Sequence, residues 1–386
     1  MKYKASPIQR DFFIECMVNP KANSKYNINM IFSLILQEEI SEEVLLETIC
    51  NTLNNQPLLS STPVVENSEI FLNTGKPLKS NEIIVEYNNY QLESGEFFNT
   101  PFDLTNDSRL FRIKLVKKSS TNYSLLLAVH HFIFDFYSAI ALTQQIIDAL
   151  SREEIFTFEQ FQQELHLTNQ KFKEKGNFIK YENIFQTRLA NLPIDTKKNA
   201  EDFLNLSKVE FRTKVEINKN FDNNHRSAIL IAAFAYEYLR ITNNSHVIVG
   251  VPVPNRIKGN KDLIDGLVTT YPVVILKSHT IEECRESVYK QLVENLKMQF
   301  FDFNKKFYKF SNFDIMFTYY PSNFIVSNST AKIIMNRLFT IVPPSPIHLM
   351  LNDDNILLSE FSTNQIQNKS EYIQKSLNHI EGGKYG

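Results

Sequence analysis

Apolar and polar positions along this chain follow two periods, and the period switches repeatedly from one segment to the next. Tyr26–Leu36 (YNINMIFSLIL) carries β-branched and aromatic residues in a strand-like run, as do Glu69–Leu72, Ile83–Tyr87, Leu110–Lys117 and Ser124–His130. Between them lie segments with helical spacing. Pro7–Val18 has its proline in the first turn, where a missing N–H costs nothing. Ser41–Leu53 is amphipathic, with Ser41 placed to cap the N–H of Val44. A helix is expected over Ser138–Leu150, with Ser138 as its cap. A polar, lysine-rich helical stretch, Thr157–Leu192, then runs to Pro193 and is expected to cross between two halves.

The second half alternates in the same way. Val209–Ile217, His246–Val253, Thr269–Leu276, Phe313–Tyr319, Ile333–Phe339, Ile347–Asn352 and Ile356–Phe361 read as strands. Arg226–Leu239, Ile281–Asp302 and Gln365–Asn378 read as helices. Strands follow both strands and helices, which predicts α/β architecture with mixed sheets and not a doubly wound parallel sheet. At 386 residues the chain has room for two lobes, each with its own core. The expected division is 1–176 and 177–386.

Composition narrows the function. Hydrophobic residues make up 43% and charged residues 22%, a globular profile. Near balance of 41 basic and 43 acidic residues argues against nucleic-acid binding, and the lysines of 171–180 are interrupted by Glu174. The longest apolar stretch, Ala228–Tyr236, is too short for a membrane span. No signal peptide is read in Met1–Pro20, and Cys16, Cys50 and Cys284 are scattered, so a cytoplasmic, reducing location is expected. With 9 glycines and no glycine-rich phosphate loop, no bound nucleotide cofactor is expected. The histidines lack metal-ligand spacing, so no metal is expected either.

The chemistry concentrates at His130-His131-Phe132-Ile133-Phe134-Asp135. Side chains alternate faces along a strand, so the two histidines should point to opposite sides, one into structure and one into a site. Asp135 follows three apolar residues and needs a cationic or hydrogen-bonding partner if it is buried.

This stretch, LLLAVHHFIFDFYS, resembles the HHxxxDG motif of the condensation domains of nonribosomal peptide synthetases, within the wider superfamily that looks like chloramphenicol acetyltransferase. Companion motifs follow in order. Ser6-Pro7-Ile8-Gln9-Arg10 resembles the family's S-x-x-Q opening, and Pro101–Leu104 with Leu110–Arg112 its PFDL…LLR motif. Tyr181–Pro193 is similar to the inter-lobe linker. Gly250–Arg256 with Gly266–Thr270 resembles the G-x-P-x-x-x-R…G-x-x-x-N-T region, and Phe313–Tyr319 a late strand motif. Two positions depart: Phe136 stands where the motif has glycine, and Thr269 where it has asparagine.

The resemblance implies two chloramphenicol acetyltransferase-like lobes in a V-shaped pseudo-dimer with a tunnel between them. It implies His131 as the catalytic residue, orienting an amine or taking its proton. It implies structural roles for His130, Asp135 and Arg256, the last two as an ion pair with Arg112 as the alternative partner. Phe136, Ser138 and Thr269 are expected along the substrate tunnel. The implied reaction is amide formation between a carrier-bound acyl or aminoacyl thioester and an amine, free or carrier-bound, by a free-standing, monomeric enzyme of specialised (antibiotic) metabolism. Its partners would be acyl or peptidyl carrier proteins bearing phosphopantetheine. An ester-forming acyltransferase using coenzyme A or carrier donors, and an inactive module that only binds carrier proteins, are the alternatives.

Overall fold

The structure, a computed structural model, describes residues 1–87, 96–106, 109–152, 155–174, 178–190, 192, 207–310, 312–321 and 324–381. In chain order the first elements are β1 (Lys2–Lys4), α1 (Pro7–Val18), β2 (Asn27–Leu36), α2 (Glu42–Asn54), β3 (Ser61–Glu66), β4 (Glu69–Thr74), β5 (Ile84–Tyr87) and α3 (Glu96–Asn99). There follow β6 (Phe111–Lys117), β7 (Asn122–His130), α4 (Phe136–Ser151), α5 (Phe158–Lys173) and α6 (Phe178–Leu189). The later elements are β8 (Val209–Lys214), α7 (Asn223–Thr242), β9 (His246–Pro254), β10 (Val268–Leu276), α8 (Ile281–Leu296) and α9 (Asn304–Phe307). The chain ends with β11 (Ile315–Tyr320), β12 (Ile325–Ser327), β13 (Ala331–Thr340), β14 (Ile347–Asn352), β15 (Ile356–Phe361) and α10 (Lys369–Glu381). The expected mixed α/β class is what the chain adopts.

Two compact units form. The first comprises Met1–Lys173 together with Arg256–Leu267 and Asn323–Ile341. The second comprises Glu174–Asn255, Val268–Ser322 and Val342–Gly386. A cut after residue 176 would assign both shorter segments to the second unit, whereas each packs into the first.

The first unit is built on a six-stranded sheet in the order β12-β13-β2-β7-β6-β5. Its centre, β2 beside β7, is antiparallel with Asn27 opposite His130 and Phe32 opposite Leu125. β2 is buried along nearly its whole length, as a central strand covered on both faces must be. Helices α2 and α4 pack on each other, and α4 also lies against β12 and β13. Leu263, Ile264 and Leu267 of the 256–267 segment sit in this unit's core with Phe132, Ile133 and Phe134.

The second unit has a six-stranded sheet in the order β10-β9-β11-β14-β15-β8. One face is covered by α7, α8 and α10, with Leu230, Phe234, Phe317, Leu349 and Tyr372 fully buried there. A further cluster gathers Phe185 of α6 around Tyr271, Met298, Phe301 and Phe303.

Local expectations and structure differ at a few ends. The helix expected over 281–302 stops at Leu296, because Met298, Phe301 and Phe303 turn into the Phe185 cluster and Phe300 adopts φ 65°. The stretch 157–192 divides into α5 and α6, and Pro193, its expected end, lies outside the described residues. The strands β1, β3 and β12 were not anticipated. Among the described residues no helix is long and apolar enough to cross a membrane.

Candidate active site

Strand β7 delivers the two histidines to its end with different surroundings. His130 is fully buried, and its Nδ1 accepts the Phe132 N–H at 3.1 Å. That bond leaves the proton of the neutral ring on Nε2. Burial, helped by neighbouring His131, pushes its pKa down to about 3, so the ring is neutral at physiological pH. His131 is only half-buried. Its backbone N–H donates to Tyr26 O at 2.7 Å, and its ring lies 5.2 Å from that of Phe12. Of its ring nitrogens, Nδ1 is buried and, among the described residues, meets no hydrogen-bond partner. Burial holds its pKa below the ordinary histidine range against the opposing charge of Asp135. A neutral imidazole at neutral pH can accept a proton.

Asp135 shapes the loop behind these rings. It is the N-cap of α4, with Oδ1 accepting the Ser138 N–H at 2.7 Å. The Arg256 guanidinium meets the same carboxylate through Nη2, at 2.9 Å from Oδ1 and 3.0 Å from Oδ2. The Leu267 N–H adds a bond to Oδ2 at 3.1 Å. Both partners are buried, with 8% of the Arg256 side chain and 0% of the Asp135 side chain exposed. Arg112, the alternative partner, points elsewhere: it donates to Thr100 O at 2.7 Å and lies over the Phe102 ring at 4.0 Å.

The expected start of α4 needs correction. The helix begins at Phe136, two residues before the serine, because an aspartate already caps it. Ser138 is therefore the third helical residue, is fully buried, and has no surface for a substrate. Its Oγ accepts from Asp265 N at 3.0 Å and Arg256 Nη2 at 3.1 Å. The single hydroxyl proton lies between Asp265 O at 2.8 Å and Asp135 Oδ1 at 3.0 Å.

Two further residues complete the support of the histidine loop. Ser6 and Gln9 form a capping box on α1, which explains their spacing. With Oε1 held by Ser6 N, Gln9 spends both amide hydrogens on Phe132 O at 3.1 Å and Asp265 Oδ1 at 2.8 Å. Gly266 presses on the same loop, since a Cβ there would stand 2.4 Å from His131 O. Asp265, which sequence reasoning did not single out, is 2% exposed. Burial, opposed by Arg256 and reinforced by Asp135, lifts its pKa to about 7. The signal was present: Leu263-Ile264-Asp265-Gly266-Leu267 is another acid among apolar residues.

Phe136 is half-buried at the first helical position, with its ring 6.0 Å from Tyr137 and 6.4 Å from Phe324. Thr269 is half-buried on β10, where its Oγ1 accepts from Asn255 Nδ2 at 2.8 Å. Asn255 Oδ1 in turn holds the N–H of Phe300, in its left-handed conformation. Among the described residues no cluster of His, Cys, Asp and Glu is arranged to hold a metal ion.

Comparison with known proteins places this geometry in a family. The model of the condensation domain matches residues 1–330. A plipastatin synthase polypeptide of Bacillus subtilis (strain 168) is 24% identical over 225 residues, 54% of this chain, which spans only 6% of that protein's length. The solved starter condensation domain of rhizomide synthetase, in complex with C8-CoA, superimposes with a TM-score of 0.77 at 14% identity, covering 99% of this chain and 94% of its own. The first condensation domain of the calcium-dependent antibiotic synthetase, in complex with a substrate analogue, gives a TM-score of 0.70 at 12% identity, covering 98% and 95%. The chain belongs to the condensation-domain family.

Proposed function

We propose that this protein forms an amide bond between an acyl or aminoacyl thioester, carried on the phosphopantetheine arm of a carrier protein, and an amine. The observation that carries this reading is His131: a neutral, half-buried imidazole at a strand end, on a loop fixed by Asp135–Arg256, Gln9 and Gly266. In the reaction the amine nitrogen adds to the thioester carbonyl, the C–N bond forms, and the C–S bond breaks to release the thiol. The nitrogen loses one proton on the way, and His131 Nε2 either takes it or holds the amine lone pair on line. Positioned proton transfer of this kind is worth about 10²–10⁴ in rate. His130, Asp135 and Arg256 serve this by holding the ring, not by touching substrate.

Phe136 and Thr269 do not argue for an inactive module. Phe136 occupies an ordinary helical position, so the backbone makes no demand for glycine there. C8-CoA is bound in one structure of similar fold, so a fatty acyl group is the first donor to try. The test is turnover of purified protein with acyl-carrier and acyl-coenzyme A donors against mixed amines and alcohols, read by mass spectrometry. Amide products that vanish in His131→Ala support the reading. Ester products alone would move the protein to the alcohol-acylating alternative, and no product with any donor would support a carrier-binding role.

A further inference from the structure

Three strands of the second unit's sheet carry a second histidine-centred array. Ile315, Phe317, Leu349, Leu351, Leu357 and Phe361 point to the helix-covered face. The alternate positions Thr318, His348 and Glu360 therefore share the opposite face. Register aligns His348 of β14 directly with Glu360 of β15, and with Met316 of β11, two residues before Thr318. The side chains connect in order. Thr318 Oγ1 lies 3.0 Å from His348 Nε2, and His348 Nδ1 lies 3.2 Å from Glu360 Oε2. Lys208 Nζ holds the other carboxylate oxygen at 2.7 Å.

The order has chemical meaning. Burial alone would push the Glu360 carboxyl up, but His348 and Lys208 outweigh it and hold the group below its ordinary value. An ionised carboxylate only accepts hydrogen bonds, so His348 Nδ1 is the donor, and in the tautomer protonated there alone Nε2 turns a lone pair to the threonine hydroxyl. Exposure rises along the array: Glu360 is 1% exposed, His348 is 7% exposed, and Thr318 is half-buried. The nucleophile end is thus the accessible one. Met316 and Leu358, also half-buried on this face, give it an apolar surround.

We propose that Thr318, His348 and Glu360 form a second site that cleaves acyl thioesters, with Thr318 as the nucleophile. It rests on the proposed function only for the thioester class of its substrate. Thr318 Oγ adds to the acyl carbonyl while His348 Nε2 takes its proton. The C–S bond breaks, and His348 returns that proton to the departing thiolate. Water then attacks the ester, giving its proton to His348. The carboxylic acid leaves and Thr318 regains its proton. No oxidant or cofactor is needed.

The test incubates the full chain with acetyl and octanoyl thioesters of N-acetylcysteamine. Thiol release is followed, and any acyl adduct is mapped by peptide mass spectrometry. Wild type and His131→Ala should release thiol equally and carry the adduct on Thr318. Thr318→Ser should retain the activity. Thr318→Val should abolish it, and His348→Asn, whose amide keeps the Glu360 hydrogen bond, should slow it at least about tenfold. Thiol release in wild type no faster than in Thr318→Val, with no adduct on Thr318, would show a purely structural ladder and overturn the proposal. So would labelling indifferent to His348→Asn. Because His131→Ala removes amide formation and leaves this reaction, failure of one reading is distinguishable from failure of the other.

Discussion

Replacing Asp135 with alanine tests the support of the histidine loop most directly. The carboxylate accepts from Ser138 N, Arg256 Nη2 and Leu267 N, all within 3.1 Å, and Arg256 is left buried without it. Breaking one side of a buried pair costs about 3–5 kcal/mol, and losing an N-cap about 1 kcal/mol; the two overlap because one group does both. Asp265 softens the loss. Its pKa of about 7 is raised partly by Asp135 itself, so removing Asp135 lets Asp265 ionise and balance Arg256. The expected loss is therefore at the lower end, about 3 kcal/mol, or about 6–12 °C in melting temperature for a unit of this size. Far-ultraviolet circular dichroism is the suitable probe, since the chain has 0 tryptophans. Activity should fall with stability. Adding Asp265→Asn to Asp135→Ala should cost at least about 1 kcal/mol more than the sum of the single changes. An alanine variant that melts like wild type, or strict additivity in the double variant, would refute the cage as described.

His131→Ala should lower kcat/KM by about 10²–10⁴ and leave the melting temperature within a few degrees, because the ring is half-buried and its Nδ1 has no hydrogen bond to lose among the described residues; a matching fall in melting temperature would make the residue structural. Gly266→Ala places a Cβ 2.4 Å from His131 O, so the loop must shift and turnover should fall at least about tenfold at saturating substrate. Wild-type turnover in that variant would show that the loop can yield without consequence. For pH, His130 has its folded pKa lowered to about 3, so on acidification the unfolded chain binds a proton there that the native state refuses. Stability from this group is full above about pH 6.5 and is lost toward pH 3, at about 1.4 kcal/mol per unit. Asp265 and Glu164, both raised to about 7, act with the opposite sign, so wild type alone conceals the effect. His130→Asn, whose amide oxygen can accept the Phe132 N–H, should gain on wild type by about 2 kcal/mol between pH 6.5 and 5 in urea unfolding. A gap independent of pH would mean that His130 does not resist protonation.

Period and caps made most of the fold legible. β2, β7, β14 and β15 came from apolar runs bounded by turns, α1 from the proline of its first turn and α2 from a serine cap, both of which the structure retains. What stayed hidden was long-range. Nothing in the spacing of residues 256–267 or 323–341 says that they pack with residues 1–173 instead of with their neighbours in sequence. The short strands β1 and β12 are partly exposed three-residue pieces defined by their pairing partners, without a period to read. At the site, the argument that a carboxylate among apolar residues needs a cation pointed correctly at Asp135. Applied to Asp265 it would have found the second acid. The cap reading failed at Ser138, because a serine before a helical run looks like a cap unless the aspartate three residues earlier is weighed as a better one.

Why the cage contains two acids and one arginine follows from their different bonding. Asp135 receives Arg256 and two backbone N–H groups, a set that stabilises only an anion. Asp265 offers its carboxylate to Gln9 and Gly266, while Arg256 takes only its backbone oxygen, at 3.0 Å. One full negative charge therefore balances one positive charge, and Asp265 can hold a proton near neutrality without leaving a buried charge unpaired. Its mechanical role does not depend on ionisation, since Gln9 reaches Phe132 O as well as the carboxylate and Gly266 touches His131 O through backbone shape alone. Position and charge are thus carried by different atoms of the same segment. The loop bearing His131 can be fixed by residues 265–267 whether or not the second acid is ionised.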